Sequence, residues 1–278
     1  MRLVIKIMVA MFCISMTACS AMTLEQRVDR LYNRMSRAER VAQLRSSYIS
    51  ELFTPDGKID EAKCKELIPD GIGHIPQFAM DLGKSPDEQR DMVAQLQKWL
   101  IENTPNHIPA LVHEEALSGI NALDATVYPQ QIGMACTFNT GLAEKKTRLT
   151  ATALRDMGGL LALSPMVDVV RTPSFNRLEE SYGEDGYLSA AMGVAFVNGL
   201  QHNGNLHEGV AACTKHFLGY GGGGNSSEKE LMEEILLPHE AIIRTAGSQV
   251  VMTGYHTIND IKCVANKRLQ QDLLRMYV

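Results

Sequence analysis

Polar side chains that could bind a ligand or assist catalysis follow directly after four apolar runs of the chain. Carboxylates accept hydrogen bonds, lysine donates them, and histidine and tyrosine can do either. Charge and hydrogen-bonding capacity thus recur at the same position of run after run, which indicates a shared location. The groups are His113-Glu114-Glu115 after Val112, Asp168 after Val167, Lys215-His216 after Thr214, and Tyr255-His256 after Gly254.

The apolar runs have the length and character of the strands needed to bring these groups together. Each run is short and continuous rather than alternating, which indicates burial on both faces of a sheet. Parallel strands joined by helices end at one edge, so the polar groups would meet there. The runs are Gly71–Ile75, Ile108–Val112, Leu160–Val170, Val210–Thr214 and Gln249–Gly254.

Amphipathic stretches with a helical period lie between the later runs, at Thr140–Met157, Asp185–His202 and Glu228–Thr245. The third contains Pro238, which predicts a kink or break because proline has no amide hydrogen. Alternating strands and helices predict an α/β fold with a parallel sheet. A TIM-like (β/α)8 barrel and an open doubly wound sheet both place ligands at strand carboxyl ends, so both architectures stay open on this ground.

The first residues predict export. Arg2 and Lys6 precede an apolar run, Ile7–Met16, that is too short to span a membrane, and small residues then lead to Cys19. We therefore predict a signal peptide over residues 1–18 and lipid attachment at Cys19, with the chain anchored at a bacterial cell envelope, in the periplasm or on the outer membrane. An ordinary signal peptide with an unmodified cysteine is the alternative. Residues 19–278 have the length of one large domain.

The composition argues against several classes of partner. The chain is 45% hydrophobic, carries a net charge of −5 and shows no run of lysine and arginine, which argues against nucleic acid. After Cys19 the cysteines show no C-x-x-C spacing, so we expect no zinc site, metal or cofactor. The HEEAL sequence has Leu117 where a zinc protease needs its second histidine. No P-loop or G-x-S-x-G motif is present, and no G-x-G-x-x-G follows an early strand.

Four segments carry longer motifs: ATVYPQQIG at 125–133, DVVRTPSFNRLEESYGED at 168–185, VAACTKHFLGYG at 210–221 and VANKRLQQDLLR at 264–275. In order and spacing they resemble glycoside hydrolase family 3. The resemblance runs from about Leu24 to Tyr277 and is specific, because several joined motifs carry it. It implies that this domain is a TIM-like (β/α)8 barrel, and typical members of the family are exo-acting β-glucosidases or β-xylosidases.

The resemblance implies roles in substrate binding for five side chains at the predicted strand ends. Glu115 matches a carboxylate that binds hydroxyls of the non-reducing sugar. Arg177, Lys215 and His216 match residues that donate hydrogen bonds to the same sugar. Tyr255 matches a tyrosine whose hydroxyl lies near the nucleophile and can orient it.

Other residues are implied in supporting roles. Glu228 follows the glycine-rich loop, where relatives have a catalytic-loop residue of varied type. Glu180 and Asp185 are expected to brace the loop that carries the sugar-binding arginine. Asp168 and Arg171 are expected to be buried partners of each other.

The resemblance also implies a nucleophile that these 278 residues do not contain. A retaining glycosidase needs two carboxyl groups, one as nucleophile and one as general acid/base. In the family the nucleophile is an aspartate in a G-F-D-G-x-x-x-S-D segment just after the helix predicted here over Gln270–Met276, and the sequence ends at Val278. We therefore expect about six strands of an incomplete barrel and no catalytic residue within it.

We expect the full-length parent to hydrolyse terminal non-reducing β-D-glucosyl or β-xylosyl residues by a retaining mechanism. A sugar-binding lipoprotein without catalysis, an inactive gene fragment and a purely structural lipoprotein are the alternatives. The structural role predicts no convergent polar groups at strand ends, whereas this chain has them. The expected partner is a β-glucoside or oligosaccharide, with membrane contact through the lipid anchor alone.

Overall fold

The computed structural model describes residues 22–222 and 226–278, so the predicted signal peptide and Cys19 lie outside the described residues. Its centre is a curled parallel sheet of five strands in sequence order. Each strand pairs in parallel with the next one along the chain. The strands are β1 His74–Ile75, β2 Leu111–Glu114, β3 Leu161–Ala162, β4 Ala211–Phe217 and β5 Val250–Thr253.

The incomplete TIM-like barrel predicted from the sequence is confirmed. Each strand overlaps one of the five apolar runs, but β2 and β4 extend two and three residues past the predicted ends and so include His113-Glu114 and Lys215–Phe217. The described residues form five strands of the parallel sheet, whereas about six were expected; Ser46 makes only an isolated parallel bridge with His74 of β1. A short antiparallel hairpin, β6 Thr257–Ile258 and β7 Ile261–Lys262, follows β5 and was not predicted.

Helical segments lie between consecutive strands, because parallel strands need a crossover connection. Asn139 and Asp185 begin the two long central helices, because each side chain accepts the amide hydrogen three residues on. The helices are α1 Leu24–Arg34, α2 Arg37–Ala42, α3 Glu61–Leu67, α4 Phe78–Leu82, α5 Pro86–Asn103, α6 Gln131–Ala135, α7 Thr140–Asp156, α8 Gly186–Leu200, α9 Glu228–Glu230 and α10 Leu237–Ala241.

The predicted helix over Glu228–Thr245 is present but irregular around Pro238. Wide turns over Leu231–Ile235 and Ile242–Ala246 flank the short helix that contains the proline. The Leu236 amide bonds to the Leu231 carbonyl, five residues back, rather than four. The predicted break at the proline is therefore confirmed. The last helical segment begins at Arg268, two residues before the predicted start.

Helices α7 and α8 pack closely against each other beside the sheet. Gly199 permits this approach, because a Cβ there would lie 2.4 Å from the Glu144 carbonyl oxygen. A smaller apolar cluster fastens the C-terminal segment to the end of β4 through Phe217, Leu218, Leu231, Ile258 and Leu269. No helix in the described part of the chain is long and apolar enough to cross a membrane.

Candidate functional site

An ion pair joins the carboxyl ends of β2 and β4 across β3. The Lys215 ammonium group donates to Glu115 Oε2 at 2.6 Å. The Lys215 side chain is 1% exposed, whereas Glu115 is 29% exposed. Burying a lone ammonium group is costly unless a partner neutralises it, so Glu115 fixes the lysine in place. The exposed side of the Glu115 carboxylate is left to accept hydrogen bonds from a ligand.

A second buried pair lies beside the first. Asp168, after β3, bonds to Nδ1 of His216 at 2.7 Å, and both side chains are fully buried. The Asp168 carboxylate accepts the hydrogen on Nδ1, which leaves Nε2 as the ring nitrogen that faces away from Asp168. That nitrogen lies 3.4 Å from Nη1 of Arg177, which can donate to it. The histidine ring is thus held between a carboxylate and a guanidinium group.

Arg177 is held on its turn by Glu180. Its Nε donates to Glu180 Oε1 at 2.6 Å, and its Nη2 pairs with the other carboxylate oxygen. These hydrogen bonds raise the pKa of Arg177 above its ordinary value. The buried amide of Gln131 donates to the Glu180 carbonyl oxygen and to the Met166 carbonyl oxygen. The structure therefore shows Glu180 in the bracing position that the sequence predicted.

Tyr255, after β5, forms the aromatic side of this group. Its ring centroid lies 5.2 Å from that of His216, and its side chain is exposed. Tyr220 contacts both rings, with centroids 4.9 Å from His216 and 5.4 Å from Tyr255. Tyr220 was missed in the sequence analysis, although it lies four residues after His216 and beside the glycine-rich loop. Phe175 packs edge-on against Tyr220 from the other side.

The predicted residues therefore form one connected group, which we call the strand-end cluster. Only part of the cluster opens directly into a cavity of about 570 Å³, which Glu115 and Arg177 line. Lys215 and His216 lie buried behind these two side chains. The strand-end cluster comprises Glu115, Asp168, Arg177, Lys215, His216 and Tyr255.

The structure does not bring Glu228 into the strand-end cluster. Its carboxylate pairs with Arg268, and its side chain is more than half exposed. Arg268 belongs to the last helical segment, so the pair fastens that segment to the start of α9. Within residues 22–222 and 226–278, Glu228 has no other side-chain partner.

Two predicted supporting contacts are wrong. Arg171 pairs with Glu230 on α9, not with Asp168, whose partner is His216. Residues three apart in extended backbone point to opposite sides, so Asp168 points inward while Arg171 points outward. Asp185 does not brace the arginine turn, because its side chain caps α8.

Two buried ionisable groups, whose roles were not predicted from the sequence, support the site. Glu114 accepts the amide hydrogens of Ala79 and Glu115, both at 2.7 Å, and burial raises its pKa to about 7. Lys146 on α7 donates to the carbonyl oxygens of Leu117 at 2.7 Å and Pro129 at 2.9 Å. Burial lowers the pKa of Lys146 to about 8. Lys146 thereby ties together both ends of a loop that lines the cavity.

No group of three or more histidine, cysteine, aspartate or glutamate side chains among the described residues is arranged to hold a metal ion. The cysteines at 64, 136, 213 and 263 are unpaired with one another. Cys213 is buried within β4, and this burial raises the pKa of its thiol to about 12. The thiol at this position is therefore a packing group at neutral pH.

Comparison with known proteins places this geometry among carbohydrate-active enzymes. A β-xylosidase of Formosa agariphila is 36% identical over 66% of this chain and 28% of its own length. A periplasmic β-glucosidase of Salmonella typhimurium is 28% identical over 89% of this chain and 31% of its own length. The solved structure of a β-glucosidase from Erythrobacter marinus superposes with a TM-score of 0.83 at 28% identity, covering 92% of this chain and 35% of that one.

The chain spans about a third of the length of the relatives that it matches. The family model that describes the N-terminal domain of glycosyl hydrolase family 3 matches residues 38–278. That range includes all five strands and the whole strand-end cluster. The chain therefore belongs to glycosyl hydrolase family 3, and these residues are part of its N-terminal domain.

Proposed function

We propose that the strand-end cluster is the sugar-binding part of a retaining β-glycosidase active site. The observation that carries the proposal is the Lys215–Glu115 pair: a buried lysine holds a carboxylate whose exposed side faces a cavity next to Arg177. In a parent that includes the downstream sequence, the reaction would be hydrolysis of terminal non-reducing β-D-glucosyl or β-xylosyl residues. The names of the two curated relatives, a β-xylosidase and a β-glucosidase, support this substrate class.

The chemistry of a pyranose ring fits the donors and acceptors of the cluster. Neighbouring hydroxyl groups of a sugar each donate one hydrogen and accept others. The exposed side of Glu115 can accept from two such hydroxyls and Arg177 can donate to their oxygens, while the buried Lys215 holds the Glu115 carboxylate in position. Because these side chains are already held by partners, they meet the sugar with little loss of conformational freedom.

We assign the carboxylates of the strand-end cluster and the neighbouring Glu180 to binding and support rather than to catalysis. Glu115 pairs with Lys215, Glu180 with Arg177, and the buried Asp168 with a histidine. A retaining mechanism needs two carboxyl groups roughly 5 Å apart across the scissile bond, one of them ready to attack. We infer that the nucleophile and the general acid/base of the parent come from other parts of its sequence.

The same observation supports a second candidate, a sugar-binding lipoprotein that does not cleave its ligand. Binding a ground-state sugar does not lower the barrier to hydrolysis, because only interactions that strengthen in the transition state do so. Under this candidate the pairs around Glu115 and Arg177 would hold the sugar without turnover. For either candidate we propose export and acylation at Cys19. A Cys19→Ala variant that partitions with membranes as firmly as the parent would contradict acylation.

A hydrolysis assay separates the two candidates. Residues 1–278 and a chain extended through the downstream coding sequence, here called the extended chain, are compared on aryl β-glucoside and aryl β-xyloside. We expect turnover by the extended chain alone. In that chain Glu115→Gln should lower kcat/KM roughly 10- to 100-fold, since hydrogen bonds to a charged group contribute about 1.5–3 kcal/mol.

The control variant is Glu66→Gln, which removes an exposed carboxylate on α3. It should leave kcat/KM unchanged. An extended chain that binds both sugars but hydrolyses neither would favour the sugar-binding lipoprotein. An extended chain with unaltered activity after Glu115→Gln would contradict the proposed binding role of this residue.

A further inference from the structure

Helix α1 presents an apolar stripe in which each side chain is more than half exposed. It begins with a capping box formed by Thr23 and Gln26, and none of its residues is buried. Leu24, Val28 and Tyr32 are exposed by 73%, 55% and 53%. Residues spaced by three or four positions share one face of a helix, so these side chains form a continuous stripe. A helix with this pattern is typical of segments that lie on a partner surface.

Three arginines form a second stripe next to the first. Arg27, Arg30 and Arg34 line a groove of about 460 Å³ between α1 and residues 106–109. None of the nine described residues that line this arginine groove is acidic. No described carboxylate forms an ion pair with any of the three arginines. The sequence has no run of basic residues, but the helix brings these three arginines onto one face.

The arginine groove is fixed at the end of the sheet opposite the strand-end cluster. Arg40 holds the C-terminal end of α1 by donating to the Tyr32 carbonyl oxygen at 2.9 Å. Its guanidinium group also lies 4.0 Å from the centre of the Tyr32 ring. The carbonyl of Ala42 accepts the amide hydrogen of Gly73, just before β1, and residues 106–109 precede β2. Both contacts lie at the amino ends of strands.

We propose that the arginine groove and the apolar stripe of α1 dock the chain on an anionic phospholipid surface. Residues 22–45 contain six arginines and three carboxylates, a net charge of +3, within a chain whose net charge is −5. Lipid phosphates would accept hydrogen bonds from the arginines, and the apolar side chains would enter the interface. Docking in this way turns the strand-end cluster away from the membrane, towards substrates in solution.

Vesicle flotation tests this proposal without a contribution from acylation. Residues 19–278 with Cys19→Ala, which lack the apolar run Ile7–Met16 as well as the acylation site, are mixed with vesicles of phosphatidylglycerol and phosphatidylcholine, or of phosphatidylcholine alone. Floating vesicles separate bound protein from any aggregate, which sinks. We expect flotation with the anionic vesicles alone. Each arginine near an anionic surface strengthens binding roughly fivefold, so the triple variant R27Q/R30Q/R34Q should bind roughly 100-fold more weakly.

Two further triple variants make the test specific to these positions. K65Q/K98Q/K229Q removes three exposed lysines elsewhere, changes the net charge equally and should bind like the parent. R27K/R30K/R34K keeps the charge and should retain most of the binding. If the lysine control loses as much binding as R27Q/R30Q/R34Q, or if R27K/R30K/R34K loses as much, the proposal is wrong.

Other occupants of the same surface would give different results. Release by inorganic phosphate, with sodium chloride at equal ionic strength as the reference, would make the groove a site for free anions and overturn lipid docking. Equal flotation with neutral vesicles would overturn the role of charge. Self-association through α1 without vesicle binding, detected by sedimentation velocity, would mean that this surface binds a second copy of the chain and would overturn lipid docking.

Discussion

The two ends of the sheet use charge in opposite ways. At the carboxyl end, Lys215 and His216 are buried, and each already has a carboxylate partner. At the amino end, Arg27, Arg30 and Arg34 are exposed and lie along a groove without acidic lining among the described residues. The first arrangement is part of the fold and orients its groups before a ligand arrives. The second leaves its charge for an external partner.

The buried charges at the carboxyl end therefore stabilise the protein, whereas the exposed charges at the amino end are available to bind a partner. Removing one member of a buried pair leaves the other uncompensated, so the fold itself suffers. Removing an exposed arginine changes the free energy of unfolding little, because surface pairs contribute about 0–1 kcal/mol. The experiments below test this distinction, from the largest expected effect to the smallest.

Breaking the Lys215–Glu115 pair should have the largest effect. Glu115→Leu leaves a buried ammonium group without a partner and should lower the free energy of unfolding by about 3–5 kcal/mol. The double variant Glu115→Leu/Lys215→Met should be more stable than Glu115→Leu alone, because no charge remains buried. Urea denaturation of the extended chain measures both values. Independent, additive losses would show that the two side chains do not stabilise each other.

Glu114 should make stability depend on pH. Burial raises its folded pKa to about 7, whereas the ordinary value is 4.5. Between these values the unfolded chain loses this proton before the folded chain does, so the free energy of unfolding falls as pH rises, by roughly 3 kcal/mol in total. Above pH 7 both states are ionised and the contribution is constant.

The matched variant for this effect is Glu114→Gln, which keeps an oxygen that can accept from the Ala79 amide. Its stability should lack the fall between about pH 4.5 and pH 7 that the parent shows. Thermal melting at a series of pH values measures the difference. Parallel curves for the parent and the variant would mean that the folded carboxyl group ionises at its ordinary pKa.

Salt should weaken binding at one end of the sheet much more than at the other. Raising sodium chloride from about 50 mM to about 500 mM shortens the screening length to a few ångströms, so binding to anionic vesicles should weaken at least roughly tenfold. Sugar affinity at the strand-end cluster, measured by calorimetry on the extended chain, should change less than about twofold, because buried charges are screened little. If vesicle binding and sugar binding weakened equally with salt, the charges at the two ends of the sheet would not differ in their exposure to solvent as proposed.

The sheet and most of the strand-end cluster could be predicted because they depend on local pattern. Continuous apolar runs give the strands, and residues next to a strand end must lie at that edge of the sheet. Glu115 and Lys215 therefore meet in the structure although 100 residues separate them along the chain. The order of the runs sufficed because neighbouring strands in space are neighbours in sequence.

Contacts that depend on loop paths or on helix orientation could not be predicted in this way. The Arg171–Glu230 pair joins two segments whose connection includes the glycine-rich loop. The arginine groove forms because α1 lies beside residues 106–109, and no motif in either segment predicts that contact. Tyr220 reaches Tyr255 because the turn after β4 folds back over the end of β5.

Replacing Lys146 should have the smallest effect. This variant tests whether a residue outside the strand-end cluster helps to position the loop beside it. Its ammonium group holds the Leu117 and Pro129 carbonyl oxygens, so Lys146→Met should loosen the loop between them. Loop residues line the cavity beside Glu115, whereas Lys146 is not among the residues that line it. We therefore expect the KM of the extended chain to rise roughly fivefold, about 1 kcal/mol, with kcat nearly unchanged. Lys146→Arg retains donors and should restore part of the loss. A fall in kcat without a change in KM would instead mean that the loop acts on the chemical step.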